Sequence, residues 1–254
     1  MDNDDRQIGR ILTRRDALKL LGITGAALLA ACAPEGAATT EPTSASVSST
    51  TVTEPTSALP ACVVRPEVTE GPYYVDEDLN RTDIRSDPTT GVIKEGALLA
   101  LTFNVSQISN GGCTPLEGAK VEVWHCDAEG AYSDVSDPGF DTQGQKFLRG
   151  FQVTDTNGQA TFLTIYPGWY SGRTVHIHFK VHQDTSDQGR VFTSQLFFDD
   201  SFTDQVFVQE PYASKGQRNT LNSNDNIYQD ELLLDVAQAN DGYAAAFDIG
   251  LQLD

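Results

Sequence analysis

The chain has 254 residues and 39 % hydrophobic composition, enough for one full domain plus extensions, and a single β-rich domain of this size is ordinary. Its 36 acidic against 17 basic residues give a formal charge of −19. That argues against a phosphate-backbone partner, which needs clustered Lys and Arg, so nucleic acid is not an expected ligand.

The N-terminus reads as a targeting segment, residues 1–31, rather than as part of a fold. Thr13-Arg14-Arg15-Asp16-Ala17-Leu18-Lys19 supplies a charged region, and residues 20–31 supply an apolar run of about a dozen residues, short for a membrane span. Twin arginines in that setting resemble a Tat export signal. Leu29-Ala30-Ala31-Cys32 resembles a bacterial lipobox, in which the cysteine becomes the lipidated first residue of the mature chain. An ordinary peptidase cut after a small-x-small pattern is the rival reading of Cys32. Residues 32–60 are Thr, Ser, Ala, Pro and Glu with almost no large apolar group, so they cannot bury a core and read as a disordered tether. The expected location is the cell envelope, anchored by a lipid on Cys32 to the outer face of the cytoplasmic membrane. That lipid would be the one membrane contact.

Beyond Cys32 stand Cys62, Cys113 and Cys126. In an exported domain cysteines tend to pair, and three cannot all pair within one chain, so one disulfide and one spare thiol are expected. Which two pair stays open. No C-x-x-C spacing supports a metal-thiolate site.

From residue 61 to 254 the composition changes to alternating apolar and polar runs separated by turn signals, the mark of an all-β domain. Strands are expected at 98–105, 119–124, 150–154, 160–165, 174–181, 194–198 and 245–253. Seven short strands predict an antiparallel β-sandwich with long loops. Asp155-Thr156-Asn157-Gly158 is a hairpin signal, because Asn-Gly tolerates the positive φ of tight turns, and it predicts 150–154 and 160–165 as antiparallel neighbours. Residues 128–146 and 199–225 read as long loops, which in a compact domain are usually functional. A short helix is expected around 230–237.

Val175-His176-Ile177-His178-Phe179 carries histidines at alternate positions of a strand-like run. Side chains at i and i+2 leave one face about 6 to 7 Å apart, so both imidazoles can converge on a single metal ion. H-x-H alone is a short and common pattern. Two tyrosines could join it: Tyr170, in the loop that feeds the strand, and Tyr132, in a loop leaving the strand at 119–124. Ionising one phenol at pH 7 costs roughly 4 kcal/mol and two about 8. A trivalent cation offsets that readily, and two phenolates with a hydroxide neutralise Fe3+, which favours ferric iron over Zn2+.

Thr69-Glu70-Gly71-Pro72-Tyr73-Tyr74, Val121-Glu122-Val123-Trp124 running to Gly130-Ala131-Tyr132, Tyr166-Pro167-Gly168-Trp169-Tyr170, Arg173-Thr174-Val175-His176-Ile177-His178 and Gln195-Leu196-Phe197-Phe198 follow in that order. Together they resemble the intradiol ring-cleavage dioxygenases. The resemblance implies a mononuclear non-haem Fe3+ held by Tyr132, Tyr170, His176 and His178. It implies an arginine at Arg173 that stabilises charge developing on the substrate ring, and an active-site glutamine at Gln195. The implied substrates are a catechol-type diol and O2, and the implied product is a muconate-type diacid, with Tyr170 as the ligand that leaves iron and takes a substrate proton. Three features depart from the family pattern: the short interval from Tyr170 to His176, His125-Cys126 after the tryptophan, and no long helical N-terminal segment of the kind that builds the dimer in catechol-cleaving relatives. Substrate and oligomeric state, a homodimer included, stay open.

Of the remaining residues, His182 reads as a strand-end residue, Trp124 as core, and Tyr73 and Tyr74 as candidates to line the pocket. The rival functions are an exported β-sandwich binding module without catalysis and a different metalloenzyme, such as a copper or zinc hydrolase, on the same face.

Overall fold

Leu99, Leu101, Phe103 and Val105 are buried while their neighbours Ala100, Thr102 and Asn104 are not, the period-two pattern that makes 98–109 a strand with one face in a core. The structure is a computed structural model and describes residues 63–109, 112–186 and 189–253. The segments 1–31 and 32–60, with Cys32 and Cys62, lie outside the described residues.

In chain order the strands are β1 (Leu98–Ser109), β2 (Gly112–Pro115), β3 (Lys120–Trp124), β4 (Ser136–Asp137), β5 (Phe140–Asp141), β6 (Arg149–Val153), β7 (Gln159–Ile165), β8 (His176–His182), β9 (Val191–Phe197), β10 (Val236–Ala239) and β11 (Gly242–Gln252). One helix, α1 (Asp200–Phe207), lies between β9 and β10. One sheet runs β10-β11-β1, with β7 and β2 sharing the other edge of β1; the second runs β6-β3-β8-β9; β4 and β5 form a small hairpin. Aromatic rings join the two sheets: Phe103 of β1 lies 5.1 Å from Phe179 of β8, and Phe247 of β11 lies 5.6 Å from Phe179. Burying each such ring contributes about 1.5 to 3 kcal/mol.

The expected β-sandwich is therefore the fold, and each of the expected strands is present. The described strand pairs are antiparallel except β1 with β11, which run parallel from Leu99↔Tyr243 to Ile108↔Gln252. Three expectations need correction. The turn at 155–158 forms, with Gly158 N–H donating to Asp155 O at 2.8 Å, but its two arms enter different sheets: β6 pairs with β3 and β7 with β1. The arms part because Gly158 O takes the Val105 N–H at 2.7 Å, while the Thr154 hydroxyl turns to Leu116 O. Second, 230–237 is not an α-helix. A 3-10 turn at Asp230–Leu232 leads into extended chain in which Leu232 and Leu234 are buried alternately, and Leu234 N–H donates to Phe197 O at 2.8 Å. Third, the loop 199–225 contains α1, started by the Asp199 carboxylate accepting the Phe202 N–H at 2.8 Å.

What places the site is the four-stranded sheet. In β8 the side chains of Ile177, Phe179 and Val181 enter the core between the sheets, which leaves His176, His178, Lys180 and His182 on the outer face. That face is covered rather than solvated. Residues 69–80 cross it, with Tyr74 against Trp124 at 4.9 Å and a bridge Asn80↔Phe151 at β6, and the chain then bridges to β7 of the other sheet at Asp83↔Leu163.

Candidate metal centre

His176 and His178 are 2 % and 1 % exposed. The His176 Nδ1–H donates to Thr174 O at 2.6 Å, a carbonyl that can only accept, so its Nε2 presents a bare lone pair outward. Three atoms approach that nitrogen: His178 Nε2 at 3.0 Å, Tyr170 Oη at 3.1 Å and Tyr132 Oη at 3.4 Å. The structure thus brings together the two histidines and two tyrosines expected from the sequence.

The tyrosines arrive on loops. Tyr132 ends the turn after β3, in which the Asp127 carboxylate accepts the Glu129 and Ala131 N–H groups at 3.1 and 2.9 Å. Its ring is fully buried, its carbonyl accepts from the Thr142 hydroxyl at 2.5 Å, and the Tyr73 ring stacks on it at 4.6 Å. Tyr170 is only half-buried, in the loop between β7 and β8. One lysine braces the two loops: the Lys215 ammonium donates to both Glu129 O and Trp169 O and lies 4.8 Å over the Trp169 ring.

Burial governs protonation here. It pushes the Tyr132 and Tyr170 phenols above their ordinary range, and it lowers His176 to about 3 and His178 well below the usual imidazole range, with the Arg173 charge adding to the depression of both histidines. Two imidazole nitrogens and two phenol oxygens, each able to donate an electron pair to a cation, thus face one another. Donor separations of 3.0 to 3.4 Å match those of atoms about 2.0 to 2.2 Å from a common ion, so this set fits a metal. Among the described residues no group of three or more His, Cys, Asp or Glu forms a metal cage, so the candidate centre depends on tyrosine.

Arg173 stands immediately before β8. Its Nε donates to Asp225 Oδ2 at 2.9 Å and its Nη2 to Gln195 Oε1 at 2.6 Å. Gln195, on β9 directly opposite His178, donates its Nε2 to Thr69 O at 2.7 Å. Both polar atoms of the Gln195 amide are therefore taken by protein groups. Asp225 was not singled out from the sequence, where it is one of many acidic residues in a loop.

Several lesser expectations are also placed. His182 lies at the end of β8, paired with Glu122 at 2.7 Å and apart from the cluster. Trp124 is buried, as expected of a core residue, and its ring stacks on His178 at 5.0 Å. Tyr73 packs on both Tyr132 and Tyr170, whereas Tyr74 is turned toward Glu122 and under the Lys180 ammonium, 3.3 Å from its ring centre. Arg149, unnoticed in the sequence, is buried behind Tyr132 and donates to Ser133 O and Tyr73 O, at 2.6 and 2.7 Å. Cys113 is disulfide-bonded to a partner outside the described residues, and Cys126 is a free thiol, buried with its Sγ 3.5 Å from Gly168 O.

The profile of a family described as Dioxygenase matches residues 69–253. The beta chain of protocatechuate 3,4-dioxygenase from Burkholderia cepacia is 32 % identical over 155 residues, 57 % of this chain and 65 % of that one. Catechol 1,2-dioxygenase from Acinetobacter baylyi is 32 % identical over 154 residues, 52 % of this chain and 45 % of that one. The match thus spans about two thirds of the first relative and under half of the second. Among solved structures, an intradiol ring-cleavage dioxygenase from Tetranychus urticae is similar with a TM-score of 0.66 and 31 % identity, covering 75 % of this chain and 95 % of that one. The dioxygenase domain of a dioxygenase and carbohydrate-binding fusion from Streptomyces sp. SirexAA-E follows at 0.54 and 28 %, covering 76 % and 100 %.

Proposed function

The chain belongs to the intradiol ring-cleavage dioxygenases, a family that uses non-haem iron, and on that premise we propose that it cleaves a catechol-type diol with O2 between the two hydroxylated carbons. Tyr132, Tyr170, His176 and His178 would hold a mononuclear Fe3+, and the product would be a muconate-type diacid. The observation that carries this reading is the convergence of Tyr132 Oη, Tyr170 Oη and His178 Nε2 within 3.4 Å of His176 Nε2. When bound, ferric iron supplies the charge that ionises the tyrosines and the electron-accepting centre through which an electron-rich diolate reacts with O2.

The side chains divide the remaining work. Tyr132 is fully buried and stacked under Tyr73, whereas Tyr170 sits half-buried on a loop, so Tyr170 is the ligand able to withdraw. Its phenolate, in surroundings that favour the protonated form, is a base suited to taking a proton from the incoming diol. Arg173 is fixed between Asp225 and Gln195 and places a positive charge beside the histidines, where it stabilises negative charge developing on the ring. Gln195 acts by holding Arg173 and the segment at Thr69. Trp124, Tyr73 and Gly71 close the buried side of the site against water.

The reading of residues 1–31 as an export signal supports a place of action in the cell envelope. Such a member would meet diols outside the cytoplasm.

The test is purification with metal analysis, a visible spectrum, and oxygen uptake with catechol, protocatechuate and hydroxyquinol. Iron in mononuclear stoichiometry, a purple-red tyrosinate-to-iron absorption and a muconate-type product are expected. A protein that holds no iron and lacks that colour would overturn the assignment.

A further inference from the structure

Asp225 lies outside the four-donor set, yet its carboxylate reaches two parts of the site. The side chain is 1 % exposed, and all its bonds go inward. Oδ2 accepts from Arg173 Nε at 2.9 Å and from the Thr174 backbone N–H at 2.8 Å, and Oδ1 accepts from the Ile227 N–H at 2.8 Å. Thr174 in turn offers its carbonyl to His176 Nδ1 and its hydroxyl to Asn222 Oδ1, each at 2.6 Å. Asn222 is tied back through its Nδ2 to Phe198 O at 2.8 Å, and its N–H donates to Asp200 Oδ2 at 3.1 Å. The loop at 222–225 is thereby fastened to the residues that lead into β8.

We propose that Asp225 is a positioning residue that sets the direction of the Arg173 guanidinium and, through the N–H and carbonyl of Thr174, the orientation of His176. The inference rests on the dioxygenase reading for its functional meaning. An arginine side chain has many rotamers and, in a chain of charge −19, many carboxylates to choose from. Asp225 removes that choice. With Nε held by Asp225 and Nη2 by Gln195, the planar guanidinium is gripped at two points and cannot rotate out of its plane. Only a carboxylate does this at the position. It accepts on one oxygen from two donors and on the other from a third, whereas an asparagine must aim an NH2 either at the Ile227 N–H or at Arg173 Nε and Thr174 N. Burial raises the Asp225 pKa, but the bonds from Ile227, Thr174 and Arg173 outweigh it and keep the group ionised.

The experiment has two arms. In the iron-free protein, nitrogen NMR follows the Arg173 Nε–H signal, identified by its loss in Arg173→Ala. Protection from solvent exchange in the wild type, lost in Asp225→Asn, is expected. An Arg173 signal as exposed as those of surface arginines in the wild type itself would overturn the proposal without recourse to any variant, as would a signal unchanged in Asp225→Asn. In the iron-loaded enzyme, Asp225→Asn should keep its metal and its KM but lose kcat by about 10- to 100-fold. The same change placed on Arg173→Ala should cost less than it costs alone, the remainder passing through Thr174 to His176, and losses that multiply fully would mean that Asp225 does not act through Arg173. Absence of iron or of ring cleavage in the wild type would sink the functional reading alone, since the NMR arm needs neither.

Discussion

Trp124 and His178 lie nearly parallel, their ring centres 5.0 Å apart with 9° between the planes. The contact has weight because His178, unlike His176, has no hydrogen bond on its buried Nδ1 among the described residues. Its orientation depends on packing, with Trp124 on one side and Gly71 close by. Trp124→Ala should cost about 3 to 5 kcal/mol of stability and weaken iron retention, whereas Trp124→Phe should keep most of both. Thermal unfolding and iron content after dialysis read the difference; equal iron retention in the two variants would show that the stack does not orient His178. Gly71 has φ +74°, and a Cβ there would stand 3.1 Å from His178 Cε1. Gly71→Ala should therefore add about 1 to 3 kcal/mol of backbone strain and also lower iron retention.

The two tyrosines should respond differently to loss of their hydroxyls. Tyr170→Phe is expected to keep iron, shift the visible absorption and reduce turnover by about 100-fold or more, as expected for loss of a base. Tyr132→Phe removes the deeper donor, and its larger effect should fall on iron retention. A wild-type spectrum in Tyr170→Phe would take that residue out of the metal's reach.

Acid should unfold the iron-free protein through its histidines. His125 is lowered to about 4 and His176 to about 3, with burial the first cause in both and Arg173 adding to the second; burial lowers His178 well below its ordinary range as well. Each has a folded pKa below its unfolded value near 6.5, so the unfolded chain binds more protons at lower pH. The stability these groups confer is whole above about pH 6.5 and falls as the pH drops toward 4. Three protons at about 1.4 kcal/mol each give a limiting slope of roughly 4 kcal/mol per pH unit. Urea midpoints at pH 7 and pH 5 measure it, and a midpoint that does not fall would mean that the imidazoles are hydrated.

Gly158 is a further point of sensitivity. At φ +71° a Cβ would lie 2.2 Å from Val105 O, the place where the edge of β1 passes from β7 to β2. Gly158→Ala should cost more than the 1 to 3 kcal/mol of strain alone, because the obstacle is backbone. Denaturant unfolding checks this, with Asn157→Ala as the milder control.

Much of the site was legible because its signals are local. Alternation in Val175-His176-Ile177-His178-Phe179 tells which side chains share a face, and Tyr170 and Arg173 lie within one short stretch of the histidines. Tyr132 and Gln195 came from the order of motifs rather than from any local rule. Asp225 was beyond reach: it is 52 residues from Arg173, and nothing in a loop of polar residues marks one carboxylate as buried. The turn at Asn157-Gly158 shows the same limit in the fold. Its residues dictate how the chain reverses, but the sheet that each arm joins depends on edges supplied by β1 and β3. At 230–237 Leu232 and Leu234 alternate over too few residues to separate strand from helix by sequence.

The sealed thiol of Cys126 bears on how the protein is made. In the finished fold it is 1 % exposed and, chiefly through burial, its pKa is pushed up to about 12, so almost no thiolate exists to attack a neighbour. Before folding the same sulfur is an ordinary reactive thiol in a chain of four cysteines, able to exchange with whatever disulfide Cys113 has formed. Oxidation that precedes folding can therefore trap Cys126 in a wrong pair, whereas a chain that folds while still reduced hides Cys126 before Cys113 is oxidised. The order of those two events therefore decides whether Cys126 can enter a disulfide.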